Sequence, residues 1–253
     1  MTVKTLYEKL CERIPEHLSC EWDNDGIMCS ADLSSEVNNV LIALDVTEEV
    51  VDYAISRNFD LIISHHPLIF KPLGRVTEEN HVSRKIIKLI TNNVAVFSFH
   101  TRADKVDGGV NDLLADFIGL VDVEPFGEGG LGRIGNLPEE RELENFAEDV
   151  KMQLGADTVR FADAYNAVKR VALVGGDGKD YVRAAMEAGA DTYLSGRISY
   201  NVMEEAPDMG INLVEAGHYF TELPVTTFFS ALISSLDGNA YIEIADSNMI
   251  KSV

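Results

Sequence analysis

The chain has 253 residues, 46% of them hydrophobic, and a formal charge of −21 from 21 basic against 42 acidic residues. That length fills one large domain or two small ones, and so acidic a surface repels phosphate backbones, which argues against a nucleic-acid partner. No apolar run reaches the ~18 residues of a membrane span. The amphipathic start "MTVKTLYEKL" lacks the apolar core of a signal peptide, and Cys11, Cys20 and Cys29 form no Cys-x-x-Cys, so a cytoplasmic protein with packing cysteines is expected rather than a disulfide framework.

Leu6, Leu10 and Ile14 recur every four residues and predict a first helix. "VLIAL" (40–44) is a continuous apolar run of strand length. It leads into "DVTEEVVDYAISR", where Val50, Val51, Ala54 and Ile55 make a helical stripe and Thr47 is the candidate N-cap, with Glu48 and Glu49 in the first turn. "DLIIS" (60–64) reads as a second buried strand, Val82, Ile86 and Ile90 as another helix, and "VAVFSF" (94–99) as a further strand. Such alternation predicts an α/β fold of parallel βαβ units with helices on both sheet faces. "GEGGLGRIGNLPEE" (127–140) has the glycine density of a connection, and a domain boundary is placed there. A helix over about 139–154, short strands near 158–174 and a second αβ alternation follow. The predicted division is residues 1–126 plus 216–253 for a metal-binding lobe and 127–215 for a second α/β lobe.

The lobes look related. Residues 40–66 align without gaps to 171–197, with identities at Val40/Val171, Val51/Val182, Ala54/Ala185, Asp60/Asp191 and Ser64/Ser195. Each copy is followed by a helix, a strand and a His-x-x-x-acid, His100…Asp104 and His218…Glu222. In the alignment His65 and His66 face Gly196 and Arg197, so the second copy lacks the paired imidazoles.

"DLIISHHPLIF" (60–70) puts two histidines at the end of a buried strand. Adjacent side chains of an extended segment point opposite ways, so a single metal takes both only if the chain turns, and Pro67 favours a break there. His218 and Glu222, four apart, share one helix face. Each of these fragments follows an apolar run, and the C-terminal ends of parallel strands converge on one edge. His65, His66, Asp104, His218 and Glu222 are therefore the candidate metal ligands. Mixed imidazole and carboxylate donors suit zinc, iron, manganese, cobalt or nickel, and five ligands for two ions imply open positions of the catalytic kind.

At these residues the chain resembles the dinuclear metal-centre, GTP cyclohydrolase 1 type 2 homologue (YbgI-like) family. The likeness runs through "EWDNDGIM" (21–28), "DLIISHHPLIF" (60–70), "HTRADKVDGGVND" (100–112), "GRIGNLPE" (132–139), "AGADTYLSG" (188–196) and "LVEAGHYFTE" (213–222). It implies two related βαβ-type lobes with parallel or mixed sheets, in a short form without the inserted middle domain. It also implies the same five ligands with both carboxylates able to bridge, two divalent metal ions per chain, and a toroidal homo-hexamer. Where the family often reads Gly-Asp/Glu-Ile-Lys-Tyr-His, this chain has "GRISYN" (196–201), which makes Arg197 either a substrate-binding group or a surface residue. His100 is a candidate outer ligand or a packing residue, and Asp23, Asn24 and Asp25 line the site or form a capped turn. Trp22 is expected in the core, "GGDGKD" (175–180) as a tight turn rather than a phosphate loop, and His17 and His81 at the surface. The function these readings favour is a metal-dependent hydrolase that uses a metal-bound hydroxide on a small molecule. The alternative is a non-catalytic hexamer that binds or handles metal, or regulates.

Overall fold

The computed structural model describes residues 1–251. They divide into two compact units, Met1–Val106 with Val225–Lys251, and Asp107–Pro224.

The first unit opens with α1 (Val3–Arg13), which buries Val3, Leu6 and Leu10 and is capped by Thr2, whose side chain accepts from the Thr5 amide. It continues through β1 (Gly26–Cys29), β2 (Asn39–Ala43), α2 (Glu48–Ser56), β3 (Leu61–Ser64), α3 (His81–Thr91), β4 (Ala95–Ser98) and the single-turn α4 (Thr101–Lys105). Thr47 caps α2 as its sequence predicts, accepting from the Val50 amide.

The second unit runs α5 (Val110–Phe117), β5 (Val121–Phe126), β6 (Gly132–Arg141), α6 (Leu143–Leu154), β7 (Arg160–Ala162), β8 (Val168–Val174), α7 (Val182–Glu187), β9 (Thr192–Ser195), α8 (Tyr200–Met209), β10 (Asn212–Glu215) and the single-turn α9 (His218–Glu222). The chain then returns to the first unit with α10 (Val225–Leu236) and β11 (Tyr241–Ile244).

Among the described residues the first unit holds a five-stranded sheet in the order β1-β4-β3-β2-β11. β11, β2, β3 and β4 are parallel, and β1 joins the edge antiparallel to β4. Every residue of β3 and β4 is buried, as expected of strands covered on both faces. The second unit's six strands run β5-β6-β8-β9-β10-β7, with β8, β9 and β10 parallel and the outer pairings antiparallel. Successive residues of β8 face opposite layers: Val171 and Leu173 pack with Phe146, Val150 and Leu194, while Ala172 and Val174 pack with Val182, Tyr193 and Leu213.

The glycine-rich stretch does not separate the units. Residues 127–131 link β5 to β6 in a hairpin, and β5, β6 and β8 belong to one sheet. The chain changes unit at 106/107 and 224/225 rather than at 126/127 and 215/216, because glycine density marks tight turns within a sheet as readily as linkers. For the same reason the helix expected from about 139 begins only at Leu143, since β6 continues to Arg141.

The internal repeat appears as a shared hydrogen-bond register. Val40 pairs with Leu61 in β2–β3 and Val171 with Thr192 in β8–β9, the same offset in both copies. Asp60 accepts from the amides of Asn38 and Asn39, and Asp191 accepts from those of Lys169 and Arg170, so each aspartate ties down the start of the neighbouring strand. The Phe99 amide donates to Ser64 and the Ala216 amide to Ser195. That register equates Phe99 with Ala216 and hence Thr101 with His218, so the His-x-x-x-acid motifs of the two copies are offset by one residue, not superposed as the alignment suggested. Removing either aspartate leaves two strand-entry amides without their charged acceptor. Asp60→Ala and Asp191→Ala are each expected to lower unfolding stability by about 2 kcal/mol in urea titrations, whereas Asp32→Ala, on an exposed turn, should leave it nearly unchanged.

Candidate metal centre

β2, β3 and β4 run parallel and end side by side, so the residues that follow them leave the sheet along one edge. Asp45 follows β2, His65 and His66 follow β3, and His100 follows β4. The chain bends directly after Ser64: the Ser64 hydroxyl donates to the His66 carbonyl and the His66 amide donates to Leu44. This turn removes the opposition between adjacent side chains, and the His65 and His66 rings lie 5.1 Å apart at an interplanar angle of 51°. The His100 ring is 5.2 Å from His65 and 5.7 Å from His66. His65, His66 and His100 each offer a ligand atom within 4.8 Å of the other two, a group able to hold a metal ion.

The back of each ring is committed. His65 Nδ1 donates to the Phe99 carbonyl at 3.0 Å, His66 Nδ1 to Asp45 at 2.8 Å, and His100 Nδ1 to Asp23 at 2.8 Å. A proton fixed on Nδ1 puts the imidazole lone pair on Nε2, the tautomer and orientation that outer-sphere acceptors impose on metal-binding histidines. Asp104 brings a carboxylate oxygen 3.5 Å from His65 Nε2. The donor set thus passes the chemical test for a borderline divalent ion: imidazole nitrogens and carboxylate oxygens with second partners in place.

Asp23 anchors more than His100. Its side chain is fully shielded and also accepts from the Thr101 amide at 3.0 Å and the Thr101 hydroxyl at 2.6 Å. Burial pushes this carboxyl up, but the hydrogen bond and charge of His100, together with Thr101, outweigh it and hold Asp23 well below the usual carboxylate range. In the other direction burial lowers His100, and the Asp23 hydrogen bond with the Asp104 and Asp23 charges raises it above its ordinary value. Next to this pair Arg102 is buried, its guanidinium 3.1 Å from Asp25 and 4.5 Å over the Phe99 ring.

In the second unit, His218 Nε2 and Glu222 lie 3.0 Å apart across the single turn of α9, and Glu222 is buried. The "GGDGKD" turn packs against them. Gly176 has φ +66, and a Cβ there would collide with Glu222 Oε1 and sit 3.1 Å from His218 Nε2. Gly196, which occupies the place of His65, has the Cα of His218 within 2.7 Å of where a Cβ would be; the second copy has no room for an imidazole at that position.

Sequence reasoning missed Asp45 and the glycine turn as parts of the site. Asp45 follows a buried parallel strand just as the histidine pair does, and that placement was the available signal. Arg197 stands exposed, 3.8 Å from Asp177. Trp22 is not in the core but 64% exposed, because the neighbouring Asp23 takes the inward direction. His17 and His81 are exposed as expected.

A family model described as Duf34/NIF3 (NGG1p interacting factor 3) matches residues 1–252. The chain belongs to the Duf34/NIF3 family. Among relatives, a GTP cyclohydrolase 1 type 2 homolog of Clostridium perfringens is 35% identical over 218 residues, covering 83% of each chain. One from Lactococcus lactis is likewise 35% identical, over 84% of this chain and 83% of its own. Of solved structures, a Bacillus cereus protein related to NIF3 superposes with a TM-score of 0.87 at 26% identity, over 100% of this chain and 99% of that one. Reduced HcgD of Methanocaldococcus jannaschii gives 0.84 at 28%, over 96% and 97%. Duf34/NIF3 membership and these superpositions bear out the resemblance seen in the sequence and its mixed α/β architecture.

Two substitutions probe how the site is built. Asp23→Asn keeps the shape but removes the charge behind His100, and zinc affinity measured by calorimetry should fall about 10- to 100-fold. Gly176→Ala adds a clash to a positive φ and should cost more in urea unfolding than Gly155→Ala, where φ is +62 and the space is open; the excess is expected at about 1–3 kcal/mol.

Proposed function

We propose that this chain is a cytoplasmic, metal-dependent hydrolase acting on a small molecule, with His65, His66, Asp104, His218 and Glu222 as ligands to two divalent ions per chain and His100 beside them. The observation that carries the reading is the commitment of three Nδ1 atoms to Phe99, Asp45 and Asp23. A set of packing histidines has no need of three imidazoles that share one tautomer and each offer a ligand atom within 4.8 Å of the other two. A divalent ion so held supplies a Lewis acid and makes water a usable nucleophile at neutral pH.

The chain's own part is orientation and charge. Asp45 and Asp23 keep His66 and His100 as Nε2 donors and stabilise the positive charge that accumulates there. The Phe99 carbonyl does the same for His65 without adding charge. Asp104 and Glu222 are acceptor groups when ionised, suited both to neutralising a cation and to receiving a proton from water. The names of the relatives, GTP cyclohydrolase 1 type 2 homologs, support hydrolysis of a nucleotide ring as the first reaction to examine, and the family resemblance supports a hexamer.

Metal content by mass spectrometry is expected near two ions per chain, lost in His65→Ala and in Glu222→Ala while the far-ultraviolet circular dichroism is retained. Full metal retention in both variants would overturn the ligand set. Metal-dependent turnover of nucleotides or phosphoesters that disappears in Glu222→Ala supports the hydrolase; full metal with no turnover on either class supports the metal-handling reading instead. Light scattering should report a six-chain assembly, and a mass near 27.9 kDa would contradict it.

A further inference from the structure

We propose that Trp22 and Phe70 form a stacking platform, with His100 as its inner wall, for a flat heteroaromatic ring of the ligand. The inference rests on the hydrolase reading only in that it calls this ligand the substrate. Trp22 is 64% and Phe70 46% exposed, so a large share of each side chain's surface is left open to solvent. The rings are nonetheless assembled. Trp22 and Phe70 have centroids 6.3 Å apart at 72°, Trp22 and His100 6.1 Å at 77°, and Phe70 and His100 6.2 Å at 87°. Three mutually steep rings at nearly equal spacing make an open corner. Single exposed apolar side chains are ordinary, but an exposed aromatic pair that shares a wall with a cluster of metal-binding character is the usual mark of a binding site.

The corner is held rigid from behind. Asp23, next to Trp22, bonds His100 and Thr101. The Asn24 side chain donates to the Ile69 carbonyl, tying the Trp22 segment to the residue before Phe70. The Cys20 amide donates to the Thr101 hydroxyl at 2.9 Å, and Asp25 is bound by Arg102 and Ser19. A pre-ordered aromatic surface loses little conformational freedom on binding. Its chemistry selects a flat π system, because stacking on an indole depends on the ring face rather than on a particular hydrogen-bond pattern. A ring stacked on Trp22 lies beside His100, whose own ring is 5.2 Å from His65.

Trp22 is the chain's one tryptophan, so its fluorescence reports this corner alone. The protein, metal-loaded and metal-stripped, is titrated with guanosine, pterin and nicotinamide, and with ribose and inositol as controls without a flat ring. At least one flat compound is expected to quench saturably in the millimolar range or tighter while the controls do not. Phe70→Leu, which keeps bulk, should weaken that binding at least about fivefold, and Phe70→Tyr, which keeps the ring, should preserve it. Metal content is measured on each sample and should not change. Absence of saturable quenching by all three flat compounds, or equal binding by Phe70→Leu, would overturn the platform. Loss of assembly mass in Phe70→Leu would also overturn it, by showing the pair to be a contact between copies. Saturable quenching by metal-stripped protein in a sample that never takes up metal would retain the platform and reject the hydrolase reading.

Discussion

Three hydrogen bonds to imidazole Nδ1 atoms organise the candidate site. Each has its acceptor placed by a different piece of the fold: Asp45 by the end of β2, the Phe99 carbonyl by the end of β4, and Asp23 by the segment leading into β1. An imidazole in water exchanges tautomers and rotates freely; one whose Nδ1–H is held presents a single lone pair in a single direction. The buried strands are therefore more than a core. Their parallel register sets the spacing of Asp45 and the Phe99 carbonyl, the segment before β1 brings in Asp23, and the bend after Ser64 converts two adjacent residues that would diverge into neighbours on one side.

The same strand–helix–strand module was used in the second unit with a different outcome. Asp191 repeats the structural task of Asp60, and the β8–β9 register repeats that of β2–β3. Yet at the end of β9 the chain has Gly196, against whose missing side chain α9 packs. The space that imidazoles occupy after β3 is filled after β9 by the turn carrying His218 and Glu222. Gly176, from the loop after β8, closes over that pair. One module therefore offers candidate ligands from a strand end and the other from a single-turn helix, a division that a common ancestral pattern permits because strand register and loop content vary independently.

Much of this was legible in the sequence. Continuous apolar runs gave the buried parallel strands, Thr47 and its two glutamates gave the start of α2, and the placement of His65, His66, Asp104, His218 and Glu222 after apolar runs, with His100 as an outer group, gave the candidate centre. The unit boundaries were not legible, since a glycine-rich hairpin and a glycine-rich linker have the same composition; only the pairing of β5 with β6 and β6 with β8 tells them apart. Trp22 was misread because large aromatics are usually buried, and nothing local announces that Asp23 takes the inward direction. Backbone acceptors such as the Phe99 carbonyl carry no sequence signal at all, and the one-residue offset between the two His-x-x-x-acid motifs emerges only from which amide meets which carbonyl.

The central claim is that the imidazoles bind metal directly through Nε2. X-ray absorption at the edge of the bound metal, on zinc- or iron-loaded protein, tests it most directly. The account predicts a mixed nitrogen and oxygen shell with the outer-shell scattering of imidazole rings, reduced in His66→Ala. An all-oxygen shell without imidazole scattering, unchanged by that substitution, would contradict it.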